Sequence, residues 1–144
     1  MLAPKCQNQR KRTIFFQYVW RIGINILLLW HERKCKRNLH SIEYDEYYAS
    51  LDEKTKAKYD YVEMIIKTQY VVNKKFVKNL EETEFYEARV SVGNNEYRTI
   101  IFAVETLSFV ESKRVLFLNS FLKKGTKQYK GEIEIARHIL KKYI

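Results

Sequence analysis

The sequence has few of the residues that bend or interrupt a chain, with four glycines and one proline among 144 residues. That scarcity argues against a long flexible linker. Cysteine is scarce as well. Cys6 and Cys35 both fall in the first forty residues, too few for a disulfide framework and without zinc-ligand spacing to any histidine. Bystander thiols in a reducing cytoplasm are the expectation. There is no phosphate loop, no glycine-rich dinucleotide fingerprint, no Gly-x-Ser-x-Gly and no clustered set of metal ligands. No metal and no cofactor is therefore expected. Repeats and low-complexity tracts are missing too.

Nor is there a long uninterrupted apolar run. The stretch Ile14 to Trp30 follows Arg10-Lys11-Arg12 and superficially resembles a signal peptide or anchor. However, Gln17, Arg21 and Asn25 break it, and the continuous part, Ile26–Trp30, is far too short to span a bilayer. No small-residue cleavage site follows, only His31-Glu32-Arg33-Lys34. No membrane role is expected. The segment reads as a strand plus a short helix packed on the domain, or as an upstream extension outside the functional part.

What the chain does have is apolar and aromatic material, 46% and 15% of residues, enough for one domain with a hydrophobic core. It also has an uneven charge. Residues 1–40 hold nine bases and one acid, residues 41–111 nine bases and fourteen acids, and residues 112–144 nine bases and two acids. The net +10 thus sits at the two ends, where a polyanion such as RNA would be drawn. Two segments are expected: 1–40, a basic and apolar extension, and 41–144, the functional domain.

Periodicity sets the elements. Ser41 to Ala49 predicts a short helix, with Tyr44, Tyr47/Tyr48 and Leu51 at helical spacing. Ser50-Leu51-Asp52-Glu53 reads as a capping box opening a helix to about Gln69, whose stripe is Thr55, Tyr59, Val62 and Ile66. Tyr70 to Thr83 is a connector carrying Lys74, Lys75 and Lys78. From Phe85 to Val92 the period becomes two, with Tyr86, Ala88, Val90 and Val92 on one face and Glu87, Arg89 and Ser91 on the other. Gly93-Asn94-Asn95 is a turn, and Glu96–Val104 is the second strand of a hairpin. Arg114–Leu122, apolar on both faces, reads as a central strand. After a basic loop, Lys123 to Lys130, a final helix runs from Gly131 to Tyr143, with Glu132 and Glu134 near its start. The expected fold is α+β: an N-terminal helical hairpin packed on a small antiparallel sheet, helices on one side, then a C-terminal helix. A further strand from the N-terminal region has room to pair at the sheet edge.

The candidate chemistry is a convergence of cations. Arg89 lies on the less apolar face of its strand. Arg98 lies on the side of Ile100 and Phe102, so its guanidinium needs the rim of the core or an anionic partner. The third strand delivers Phe121 and then Lys123-Lys124-Gly125-Thr126-Lys127 to the same end of the sheet. Arg clamps phosphate oxygens bidentately and Lys adds compact charge. Together they suit RNA cleavage through attack of a 2′-hydroxyl on the adjacent phosphorus. The same residues also fit a surface that only binds RNA.

An ordered set of motifs extends the reading. It comprises Tyr44-Asp45-Glu46-Tyr47-Tyr48-Ala49-Ser50-Leu51-Asp52-Glu53-Lys54 and Phe76-Val77-Lys78-Asn79-Leu80-Glu81. It continues with Tyr86-Glu87-Ala88-Arg89-Val90, Glu96-Tyr97-Arg98 and Leu118-Asn119-Ser120-Phe121. Lys123-Lys124-x-x-Lys127 and Glu132-Ile133-x-x-Ala136 complete it. From about Tyr44 to Tyr143 the chain resembles the RelE/ParE superfamily of toxins, in particular its HigB-like, phage-derived branch. The resemblance implies a RelE-like fold and the toxin of a type II toxin–antitoxin pair. That toxin would be a ribosome-dependent, metal-independent mRNA endonuclease in the cytoplasm, held by a cognate antitoxin, a small helix-turn-helix protein. Carried over by position, Arg89, Arg98 and Lys124 are catalytic, while Lys123, Lys127, Phe121 and Lys78 bind substrate. The first thirty residues lie outside the resemblance. Tyr129 stands near where the family has a proline, and no residue matches the C-terminal Tyr or His of some relatives. Tyr129, His138 and Tyr143 are left as proton-transfer candidates. Two other readings are open: a RelE-fold toxin acting on a protein such as DNA gyrase, and a non-catalytic RNA- or ribosome-binding module.

Overall fold

The computed structural model describes residues 35–144. The strand and helix expected from Ile14 to Trp30, and Cys6, lie outside the described residues. Strand β1 (Arg37–His40) comes first, followed by helices α1 (Ile42–Ala49) and α2 (Glu53–Thr68). Strands β2 (Val77–Asn79), β3 (Phe85–Val92), β4 (Asn95–Ala103) and β5 (Arg114–Leu122) come next, and helix α3 (Gln128–Leu140) ends the order.

The sheet corrects the expected architecture. It has five strands in the order β1-β5-β4-β3-β2, and β1 pairs parallel to β5, so the sheet is mixed rather than antiparallel. The helical pair therefore follows a strand instead of opening the fold. The cause lies in β5. All residues from Val115 to Phe121 are buried, so this strand needs a partner along each edge and cover on each face. β4 pairs with one edge and β1 with the other. At the β1–α1 junction Ser41 donates its backbone N–H to the Phe117 carbonyl at 2.9 Å and its hydroxyl to the Leu118 carbonyl. The same hydroxyl accepts the Tyr44 amide and so caps α1.

The helices lie on both faces, not one. Tyr44, Tyr59, Val62 and Ile66 from α1 and α2 pack with Ala88, Val90, Tyr97, Ile101, Val115 and Phe117. On the opposite face Ala136, Ile139 and Leu140 of α3 pack with Phe85, Ile100, Leu116, Leu118 and Phe121. The sheet itself separates these two sets, and a register shift at Ile100/Ile101 interrupts the β4–β5 pairing.

Three local details differ from the sequence expectation. The N-cap of α2 is Asp52, not Ser50, because its carboxylate takes both the amide and the hydroxyl of Thr55, at 3.0 and 2.7 Å. β2 lies inside the expected connector; three residues are too few to show a period. α3 begins three residues before Gly131. Gln128 pins its first turn to β5 by accepting the Lys124 amide at 3.0 Å and donating to the Leu122 carbonyl at 3.2 Å. Consequently no acid occupies the first turn, and Glu132 instead accepts a 2.8 Å hydrogen bond from Asn119 of β5. Among the described residues no helix is long and apolar enough to cross a membrane.

Candidate functional site

Strand register brings Arg89, Arg98 and Phe121 into one cross-strand row. Arg89 of β3 is directly opposite Arg98 of β4, and Arg98 is directly opposite Phe121 of β5. All three point to the face that α3 covers. Side by side, two arginines repel. The sequence answers this with Glu87, two positions before Arg89 and hence on the same face. Arg89 donates to Glu87 Oε1 from Nε at 2.7 Å, and its Nη2 lies 2.6 Å from the same oxygen in an ion pair. Arg98 Nε faces Glu87 Oε2 at 3.9 Å. Arg98 also donates from Nη1 to the Tyr97 carbonyl at 2.8 Å and from Nη2 to Glu96 at 3.0 Å.

Burial divides the row. The side chains of Glu87 and Arg98 are 3% and 7% exposed, that of Arg89 30%. Arg98 is thus a buried, charge-matched anchor, while Arg89 presents part of its guanidinium to solvent. Phe121 is buried beneath Tyr129, whose ring meets it edge-on at 5.5 Å. The Tyr129 hydroxyl is directed at Glu87 and Arg98. Burial, then the Glu87 carboxylate beside it, pushes the phenol up to about 12. The Glu96 carboxyl is held below its ordinary range by a hydrogen bond from Ser91, with Arg98 and Lys123 adding to it against the opposing effect of burial.

Beyond the row the positive charge is exposed. Lys123, Lys124 and Lys127 stand exposed on and after the turn that leaves β5. The Lys123 amide donates to the Glu96 carbonyl at 2.8 Å, tying this loop to the start of β4. Between loop and hairpin runs an open groove of about 260 Å³, lined by Asn94, Asn95, Glu96, Leu122, Lys123, Lys124 and Gly125. Lys78 is exposed on β2, opposite Glu87 in the ladder and therefore on the same face as the row.

Of the three proton-transfer candidates, only Tyr129 meets the row. His138 is exposed on α3, about 13 Å further along the helix at 1.5 Å per residue. The Tyr143 hydroxyl accepts the Ile42 amide at 3.1 Å, at the start of α1. The arrangement also includes three groups given no role in the sequence reading: Glu87, Glu96 and Gln128. Glu87 had a signal, since a period of two puts its carboxylate on the Arg89 face. Gln128 had none, because its contacts depend on how the loop closes.

In all, the geometry provides a row of two arginines, an aromatic pair beside them and a rim of exposed lysines. Comparison with known proteins gives no matching curated protein and no matching solved structure. One family does match, described as Phage derived protein Gp49-like (DUF891), over residues 46–141, which takes in every strand of the row and all of α3. The chain belongs to this Gp49-like, phage-derived family, a RelE/ParE-like toxin family.

Proposed function

We propose that the protein is the toxin of a type II toxin–antitoxin pair and cleaves mRNA on the ribosome. The reading places it with HigB-like toxins, acting in the cytoplasm and held by an antitoxin encoded with it. The observation that carries it is the Arg89–Arg98 row opening onto exposed lysines. A 2′-hydroxyl loses its proton and bonds to the neighbouring phosphorus. The bond from phosphorus to the 5′-oxygen then breaks, and that oxygen takes a proton. The products are a 2′,3′-cyclic phosphate and a free 5′-hydroxyl. Arg89 and Lys124 stabilise the charge that builds on the phosphorane oxygens, and Arg98 fixes the floor of the site. Lys78, Lys123 and Lys127 steer and hold the strand. Phe121 supports Tyr129 from below. Tyr129 is the proton-transfer group closest to the row.

The test is induced expression followed by mapping of mRNA ends, with wild type, Arg89→Ala and Lys124→Ala. Wild type arrests growth and fragments mRNA. Either substitution is expected to lower cleavage on programmed ribosomes by about 100-fold, the scale of a lost transition-state donor. If both variants stay fully toxic, the site is misassigned. Growth arrest with intact mRNA and accumulating DNA damage would instead mark a gyrase-type target.

A further inference from the structure

Glu87 stands at the centre of the row, yet the proposed chemistry makes no use of it. Its carboxylate is almost wholly removed from water, at a cost of several kcal/mol unless it is paired. The pairing is lopsided. Oε1 takes the hydrogen bond from Arg89 Nε and the ion-pair contact from its Nη2. Oε2 faces Arg98 Nε at 3.9 Å, and both atoms are buried without a hydrogen-bond partner. A guanidinium has five N–H donors in a fixed plane. Held on one edge by Glu87, Arg89 keeps three, and its side chain is the more exposed of the two arginines.

A carboxylate in an anion-binding site has two possible uses. It can act as counter-charge, making two opposed arginines tolerable at the expense of affinity. It can also act as a brace that fixes the plane in which the remaining donors point. A hydrogen bond of 2.7 Å and an ion-pair contact of 2.6 Å, to one oxygen from adjacent nitrogens, set that oxygen at one edge of the guanidinium plane; counter-charge alone requires no such geometry. We infer that Glu87 is a positioning residue, holding Arg89 edge-on so that its free donors meet the scissile phosphate beside Arg98. The inference rests on the RNA-cleavage reading above and adds to it a residue that does not itself touch the substrate.

Positioning and counter-charge make opposite predictions for rate. Glu87→Gln removes one negative charge at constant shape, so under either role binding to ribosomes programmed with mRNA tightens. Positioning predicts that cleavage at saturating protein then falls by about 10- to 100-fold, the cost of a misplaced reacting group. KM and kcat would both drop. Counter-charge predicts unchanged or faster cleavage. Arg89→Lys keeps the charge but cannot be held as a plane. Positioning predicts that this variant is as slow as Arg89→Ala, whereas counter-charge predicts near wild-type cleavage. Thermal unfolding of each variant checks that it is folded, and if Glu87→Gln is not, Arg89→Lys decides. Wild type that cleaves while both folded variants cleave equally well overturns the positioning role alone. Wild type that leaves programmed mRNA intact overturns the cleavage reading, and the positioning role with it.

Discussion

At the scale of single residues, Tyr129 occupies a place that composition would not single out. The chain has eleven tyrosines, and this one is on the first turn of α3 with its hydroxyl directed at Glu87 and Arg98. With the phenol held near 12, it stays protonated throughout the neutral range and is suited to giving a proton to a leaving 5′-oxygen. Tyr129→Phe is expected to slow cleavage by about 100-fold or more, the usual contribution of a positioned acid. His138→Ala and Tyr143→Phe should leave it unchanged, because neither residue meets the row. Measured rates on programmed ribosomes for the three variants check this, and a Tyr129→Phe protein at wild-type speed would remove Tyr129 from the mechanism. The wild-type rate should also show no alkaline loss from this group up to about pH 10, two units below its pKa.

At the scale of elements, His40 joins β1, α1 and α2. Its Nε2 meets Glu63 at 3.0 Å and its Nδ1 meets Asp45 at 3.1 Å. Glu63 also accepts the Tyr44 hydroxyl, and the Asn38 side chain donates to the Glu63 carbonyl at 2.9 Å. Both imidazole nitrogens face carboxylates, so the doubly protonated ring is favoured. The hydrogen bond to Glu63 raises the pKa above 6.5, against the opposing effect of burial, with Asp45 adding to the rise. A raised folded pKa gives stability that is complete below the unfolded value near 6.5 and is lost as pH climbs through the folded value. The side chain is one-third exposed, which holds the contribution to less than about 1 kcal/mol. Denaturation curves should therefore show wild type weakening from pH 6 to pH 9. His40→Gln should show a flatter dependence, and identical slopes would refute the cluster's role.

At the scale of the whole molecule, the two-faced sheet has an energetic consequence. Ile100 and Ile101 are neighbours, both 0% exposed, and they enter opposite cores. Truncation of either to alanine is expected to cost about 2–5 kcal/mol. In a sheet covered on one side, one of the two would be nearly free to change. Urea denaturation of the two single variants separates the architectures, and the two-sided core is wrong if either variant keeps wild-type stability.

Much of this organisation is readable in the residues themselves. The strands Phe85–Val92 and Arg114–Leu122 agree with their expected bounds, because period-two alternation and a doubly apolar run are local signals. The facing of Arg98 with Ile100 and Phe102 follows from the same alternation, and the shared end of the sheet for Arg98 and the lysine loop follows from antiparallel chain direction. Other features are not local. β1 is four residues long and is a strand because β5 offers it an open edge. β2 depends on β3 in the same way. α3 starts at Gln128 because that side chain finds the backbone of β5 and its loop, against a glycine inside the helix that favours a later start.

The sequence by itself determined the α+β class, the strand faces and the set of cations brought to one end of the sheet, since these follow from period and chain direction. Tertiary structure alone decided that the sheet is mixed and covered on both sides, because edge pairing and facial cover are satisfied between distant segments. It also decided that Arg98 is a buried anchor while Arg89 reaches solvent. Two arginines alike in the sequence are separated by what packs over them: Arg98 is enclosed by Glu87, Glu96 and the Tyr97 carbonyl, while the Arg89 side chain is still 30% exposed.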